Sequence, residues 1–489
     1  MGVKRFISCI VFIASISLPA GSNKVLRIGI GSFPGSMNPV YATDEVSQGI
    51  INKIYQSLFS FDRNGRIRSE LVKNATVNAK KMEVTIELQS GARFSNGKYL
   101  NSDDVLATIR LLKNPAFQYP YQSDLSFIDC LDKIDARRFT IRLKGRYAPW
   151  KNYLTFKILC SAEIKMADPA RFKTNRPSGS GPFRIRKIGE PSRIWLDRNP
   201  FSSELRGPCS IEYWVLLDSR QAPLKLITGE LDAVEMDPQD AQTFLGNKKW
   251  QNHFRLVPYQ KFGFTYLVFN LKNPLIDRNL QKIIYNQVIG GTFLDDFLDD
   301  SGVRVYSPFL FLNHGLKPLP FAAIPLKSKQ RLKILTNSES RLRKHLVLFL
   351  MEELKSAQIE LEPLFLEYHT FLKYLKEGRF DMALSGYILD IDWNLRDVLA
   401  SGSFFNYAYY ANPAMDQLLT VGLQEMDEKK REDIYRRAHS LWREELPIIP
   451  LFNLYYYVGV SRRVRIPAGD CPMVGSTGDF FYDIEEWGD

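Results

Sequence analysis

Residues 179–200 constrain this chain more than any other stretch. Gly179-Ser-Gly-Pro-Phe-Arg-Ile185 is followed shortly by Ile194-Trp-Leu-Asp-Arg-Asn-Pro200. A Gly-Ser-Gly-Pro run permits backbone angles that other residues resist, so it reads as a tight crossing before a strand over 183–187. A second strand, over 192–196, ends at the Asn199-Pro200 stop. On physical grounds alone this is a hairpin with a constrained start.

The N-terminus has the layout of an export signal. Lys4 and Arg5 precede an apolar run from Phe6 to Leu18, and Pro19-Ala-Gly-Ser22 follows with small residues placed for cleavage after Ser22. The run is too short for a bilayer span, which needs about 20 residues. Cys9 lies inside it rather than after it, so no lipid anchor is expected. The expected location is the periplasm, as a soluble protein.

The 489 residues less those 22 suggest about three domains. A composition 45% hydrophobic and 24% charged belongs to an ordinary globular chain. The formal charge is +11, or +9 once Lys4 and Arg5 are removed. Basic residues alternate with acidic ones, as where Lys429, Lys430 and Arg431 sit beside Glu428, Glu432 and Asp433. That pattern gives no basic stripe, and nucleic acid is not an expected partner. Cys130, Cys160, Cys209 and Cys471 form no zinc-type spacing. In an oxidising compartment they are open to disulfide formation, with buried free thiols as the other reading.

Further motifs follow in order. Val25–Ile30 is an apolar strand leading into a loop dense in turn formers, Gly31-Ser-Phe-Pro-Gly-Ser-Met-Asn-Pro39, and Thr43-Asp-Glu45 reads as a helix start. Asn64-Gly65 suits a hairpin turn. Residues 82–88 alternate as a strand, and Ser102-Asp-Asp104 reads as the cap of a helix with Val105, Ile109 and Leu112 on one face. Thr265–Asn270 reads as a strand and 280–289 as a helix. Gly378-Arg-Phe-Asp-Met-Ala-Leu-Ser-Gly-Tyr-Ile-Leu-Asp390 carries another strand. A helix over 431–446 halts before Pro447, and an aromatic strand covers 454–458.

The opening run closely resembles the "GTGPF…LxRNP" signature of the periplasmic oligopeptide-, dipeptide- and nickel-binding proteins of ABC transporters, solute-binding family 5. Residues 93–105 resemble that family's "F.dG.p.tA.DV", and residues 378–390 its "g.yD..l.gw..D". The matches fall in the family's order over most of 25–460. The helix at 280–289 departs from the usual "R.A...aiDR".

Enzyme signatures do not compete. The five histidines form no HxxH or HExxH pair, and neither a GxSxG elbow nor a Walker loop is present. Ser95-Asn-Gly-Lys98 matches SxxK but lacks its SDN and KTG partners and reads as a turn. Acid pairs such as Asp295/Asp296 and Asp299/Asp300 read as solvated surface. No catalytic residue, metal ligand or cofactor is expected, although metal ligands distant in sequence stay open.

The resemblance implies an α/β fold: a two-lobed periplasmic binding protein of class II type, with an extra domain inserted in the first lobe. Lobe I would comprise 23–57, 176–262 and 465–489, the insert 58–175, and lobe II 263–464, with chain crossings near 262 and 465. It implies capture of peptides in a closing cleft and delivery to the membrane permease subunits of an ABC importer by a monomeric receptor. The peptide would add as a strand to backbone edges at Ser32–Phe33 and Ser385–Gly386–Tyr387. Asp390, four residues after Gly386, would take its α-amino group, with Asp392 as competitor and Asp381 as a structural acid. Tyr387 and Trp393 would line pockets or pack in the core. The carboxylate-clamping Arg that some members carry before the strand's Gly is replaced by Leu384-Ser385. Nickel chelates, haem, glutathione and cell-wall tripeptides stay open as ligands. A periplasmic hydrolase or chaperone is the reading from another class.

Overall fold

The computed structural model describes residues 25–165, 167–189, 191–202, 207–236, 238–245, 248–299, 301–312, 316–318, 320–388, 392, 394–467, 471–474 and 480–487. The expected export signal lies outside them. No helix among the described residues is long and apolar enough to cross a membrane.

Short apolar strands covered on both faces favour parallel pairing with helices packed against them. Val25–Ile30 runs parallel to Ser210–Val215 and to Ala233–Met236. The hairpin Phe183–Gly189 and Arg193–Arg198 extends this half-sheet antiparallel to Ser210–Val215. In a second half-sheet, Gln330–Asn337 runs parallel to Ile359–Leu366 and Met382–Ile388. Gly263–Phe269 pairs antiparallel with Met382–Ile388.

One long strand, Ile448–Ser461, belongs to both halves. Its residues 448–452 pair with Gly263–Phe269, and its residues 455–461 with Phe254–Lys261. The chain therefore passes between the half-sheets at Phe262 and again at 453–454. The apolar side chains divide at the same points. One cluster runs from Phe264 to Phe452, another takes in Leu26, Tyr259, Val458, Val460 and Trp487, and a smaller third, with Leu226, Met236, Phe254 and Tyr457, lies on the same half-sheet as the second. Two half-sheets with separate cores make a two-lobed α/β fold.

The second passage lies earlier than the 465 read from the sequence. The residues from Ile448 to Val460 are apolar or aromatic but for Asn453 and Gly459 and make one strand, so Asn453 is all that marks the change of partner. An antiparallel sheet in the order Val72–Asn78, Glu83–Leu88, Arg138–Leu143, Ile128–Lys133 stands on the first lobe. The helix Ser102–Lys113 covers it, with Val105, Ile109 and Leu112 buried. Its cap is Asn101, in a capping box with Asp104, one residue before the expected start.

The Gly-Ser-Gly-Pro run is glycine-rich for a different reason from the one its sequence suggests. Neither Gly179 nor Gly181 has a positive φ. They lie against the last turn of the helix Glu45–Ile54, where Gly181 N–H donates to the Ile54 carbonyl at 2.8 Å. A Cβ at Gly181 would stand 2.6 Å from that carbonyl's carbon, so close packing requires glycine. Cys130 and Cys160 carry free thiols.

Candidate ligand-binding site

The two stretches expected to offer backbone edges lie on different half-sheets. Ser32 and Phe33 follow directly on Val25–Ile30. Ser32 is exposed, and Phe33 is half-buried against the first core. Their loop is pinned from behind. The buried Asn38 side chain donates to the Phe172 carbonyl at 2.6 Å and accepts from Val40 N–H. Asp44 caps the following helix through Ser47 N–H and also accepts from Gly35 N–H.

Ser385, Gly386 and Tyr387 lie near the end of Met382–Ile388. Its start is fixed by Asp381, whose two carboxylate oxygens accept from Lys333 N–H and the Asn273 amide, each at 2.6 Å. Asp381 is thus a structural acid, as its sequence context indicates. An open groove of about 700 Å³ lies at this start, by Asn270, Lys333 and Asp381, and not at the Ser385 end.

The edge of this strand changes character along its length. Gln330–Asn337 covers only Met382 and Ala383. The Thr336 hydroxyl then caps the Leu384 carbonyl at 3.3 Å. Among the described residues no strand pairs on that side beyond Ala383, whereas Gly263–Phe269 continues on the other side to Ile388. Ser385 to Tyr387 therefore present an incomplete ladder, the geometry that accepts an added strand.

Each face beside this edge has its own chemistry. Tyr266 pairs with Ser385 and Phe264 with Tyr387, so these four share one face. Burial pushes the Tyr266 phenol up to about 12, with the hydrogen bond to Ser385 and the Arg343 charge working against it. Tyr387 meets Phe405 at 5.9 Å and 60°, and Phe405 meets Phe404 at 4.9 Å and 88°.

Gly386 faces the other way, towards Arg343. A Cβ at Gly386 would stand 2.5 Å from Arg343 Nη2. Arg343 belongs to the helix Arg341–Glu353, capped by Ser340, and its Nη1 donates to Asn337 Oδ1 at 2.9 Å. Burial lowers its pKa, and the phenols of Tyr266, Tyr368 and Tyr456 work against that shift. No carboxylate among the described residues pairs with this guanidinium.

Tyr456 joins the two halves of the site. On the first-lobe side Lys261 Nζ lies 4.7 Å from its ring centroid. Lys261 is ion-paired at 2.8 Å with Glu45, in the first turn of the helix after the Ser32–Phe33 loop. Lys261 thus stands over a tyrosine of the long shared strand and is itself paired with a carboxylate.

Asp390 and Trp393 lie outside the described residues. Asp392, the competitor for the ammonium role, is buried and ion-paired with Arg431, which also bonds the Gly422 carbonyl and Tyr435. Its charge is used within the second lobe, which takes it out of the competition.

Sequence reading missed Arg343, Lys261, Phe404 and Phe405. Arg343 left a signal. Leu346, Val347 and Leu350 follow it at helical spacing and are fully buried, so a cation begins an apolar stripe. The other three carry no comparable mark.

Two half-sheets with separate cores, joined by a shared strand, define a two-lobed α/β fold. Residues 66–284 match the family model "Bacterial extracellular solute-binding proteins, family 5 Middle". The oligopeptide-binding protein AppA of Bacillus subtilis is 21% identical over 94% of this chain and 91% of its own length. The glutathione-binding protein GsiB of Escherichia coli K12 is 22% identical over 88% of each. Among solved structures, AppA in complex with a nonapeptide superposes with a TM-score of 0.66 at 20% identity, covering 95% of this chain and 98% of that one. The unliganded open form of the murein tripeptide-binding protein MppA gives 0.78 at 15% identity, covering 91% and 95%. The chain is thus similar to the family 5 extracellular solute-binding proteins, by the model match within residues 66–284 and by relatives that span most of its length.

Proposed function

We propose that this protein is the periplasmic substrate-binding component of an ABC peptide importer, a monomeric receptor and not an enzyme. The observation that carries the reading is the incomplete ladder at Ser385–Tyr387. An extended peptide completes it through main-chain bonds, which bind without reading sequence. The Ser32–Phe33 loop supplies the facing contacts when the lobes close, and Asp390 takes the ligand's α-amino group. An ammonium removed from water requires such a partner. The lobes turn about Phe262 and residues 453–454, the two points where strand pairing changes hands. The closed form is what the permease subunits recognise.

AppA and its nonapeptide support the peptide class. The GsiB relatives favour glutathione, itself a tripeptide, as a second reading. Mass spectrometry of ligand released from natively purified protein separates the two. A mixture of linear peptides is expected. A single thiol tripeptide gives the second reading, and an empty protein that binds no peptide in calorimetry contradicts both.

A further inference from the structure

The two faces of the incomplete ladder differ in chemistry, and a strand added there must sample both. Side chains of a strand alternate between faces, whichever direction it runs. A ligand residue beside Gly386 projects towards the Arg343 face. Its neighbours in the ligand project to the face of Ser385 and Tyr387.

Each face has something left over. Arg343 is largely enclosed, yet among the described residues its only side-chain hydrogen bond is to the neutral Asn337 amide. A cation in such surroundings gains most from a carboxylate. Its position depends on residue 386 having no side chain. On the other face Phe404 is 66% exposed and Phe405 38%, although both sit in a well-tied loop. Phe405 N–H donates to the Asp397 carbonyl, and the Asn406 amide bridges the Ala400 and Tyr410 carbonyls. Lys376 Nζ lies 4.1 Å from the Phe404 ring centroid and covers part of that ring. The result is a rigid aromatic shelf, continuous with Tyr387 and open for further apolar contact.

We infer that this edge selects a pair of adjacent ligand residues. The one beside Gly386 carries a carboxylate, and a neighbour of it carries an apolar or aromatic side chain against Phe405 and Phe404. The inference rests on the peptide reading and deepens it. The carboxylate can come from an acidic side chain or from the ligand's C-terminus, because the guanidinium reads the same two oxygens.

Calorimetry with four tetrapeptides tests this directly: Ala-Glu-Phe-Ala, Ala-Gln-Phe-Ala, Ala-Glu-Ala-Ala and Ala-Gln-Ala-Ala, each with a free or an amidated C-terminus. Against wild-type protein, loss of the carboxylate is expected to cost roughly tenfold or more in affinity. Loss of Phe is expected to cost about tenfold. The carboxylate source follows from which change carries the loss, Glu to Gln or acid to amide. Arg343→Gln should abolish the carboxylate preference and keep the Phe preference, and Phe405→Ala should do the reverse. Equal affinity of wild type for all eight peptides overturns the inference while leaving a peptide receptor. The same holds for an Arg343→Gln variant that weakens all of them alike. Failure of every peptide to bind overturns the reading beneath it as well. The wild-type preferences suffice if a variant does not fold.

Discussion

The two halves of the site are built on opposite plans. In the first lobe the chemistry around Ser32–Phe33 is already satisfied: Asn38 and Asp44 hold the loop, and Lys261 has its carboxylate in Glu45. In the second lobe, among the described residues, the strand edge lacks a partner beyond Ala383, Arg343 is paired only with an amide, and two phenylalanines face outward. On the proposed reading, one half is complete without a ligand and the other is completed by it. Where a protein leaves donors, charge and apolar surface unmatched on a rigid frame, that is where discrimination belongs. On that reading the first lobe contributes closure, and the second contributes choice.

The largest expected effect on this contrast comes from Asp390. Removing one partner of a buried charged pair costs about 3–5 kcal/mol. Asp390→Ala should weaken a free-amine peptide by at least about two orders of magnitude, whereas N-acetylating the peptide should matter little to the mutant. Calorimetry that finds equal affinity for mutant and wild type removes Asp390 from the role. An Asp392→Ala variant should instead lose stability, because it strands Arg431 inside the second lobe.

Next is Gly386→Ala. The new Cβ displaces Arg343 while the ladder on the other side stays intact, so an acidic peptide should lose about tenfold and its neutral counterpart much less. If both lose equally, strand pairing and not Arg343 is the casualty.

A third effect separates the lobes by pH. Burial, with the Arg443 and Arg436 charges, pushes His439 down to about 4 from its ordinary 6.5. The unfolded chain therefore binds the proton first. The stability contributed by neutral His439 is present above about 6.5 and is lost as pH falls from there towards 4. His439 packs against Phe309 and Trp442 in the second core. Unfolding followed by hydrogen exchange should show second-lobe segments losing protection first over that range. His439→Gln should reduce the difference.

The smallest effect is expected at the satisfied half. The Lys261–Glu45 pair is part-exposed, and pairs of this kind contribute about 0–1 kcal/mol. Glu45→Gln should move the melting temperature slightly and leave the peptide preferences unchanged. A change in preference would mean that the first lobe also discriminates.

Much of this arrangement is legible in the chain. The order of motifs from Gly179-Ser-Gly-Pro to Gly378–Asp390 carries the two-lobed fold, since each motif is a local turn, cap or strand. Asp381 is readable as structural because it stands at the start of a strand. What sequence conveys poorly is anything set by distant contact. Gly179 and Gly181 look like turn residues, yet Ile54, far earlier in the chain, dictates them. The partner change within Ile448–Ser461 leaves only Asn453 as a local mark. Phe404 and Phe405 read as ordinary apolar residues until the fold leaves them exposed beside Tyr387. Arg343 was nearer to legible, as a cation on an apolar stripe, but its relation to Gly386 needs the sheet.

Hydrogen exchange across residues 382–388, with and without a saturating acidic peptide, tests the central claim most directly. If the peptide adds as a strand to the incomplete ladder, exchange in this segment should slow markedly on binding, with a weaker response in the already tied loop at 31–44. Tight binding with unchanged exchange at 382–388 would contradict the account, because the ligand would then be held without pairing to this edge.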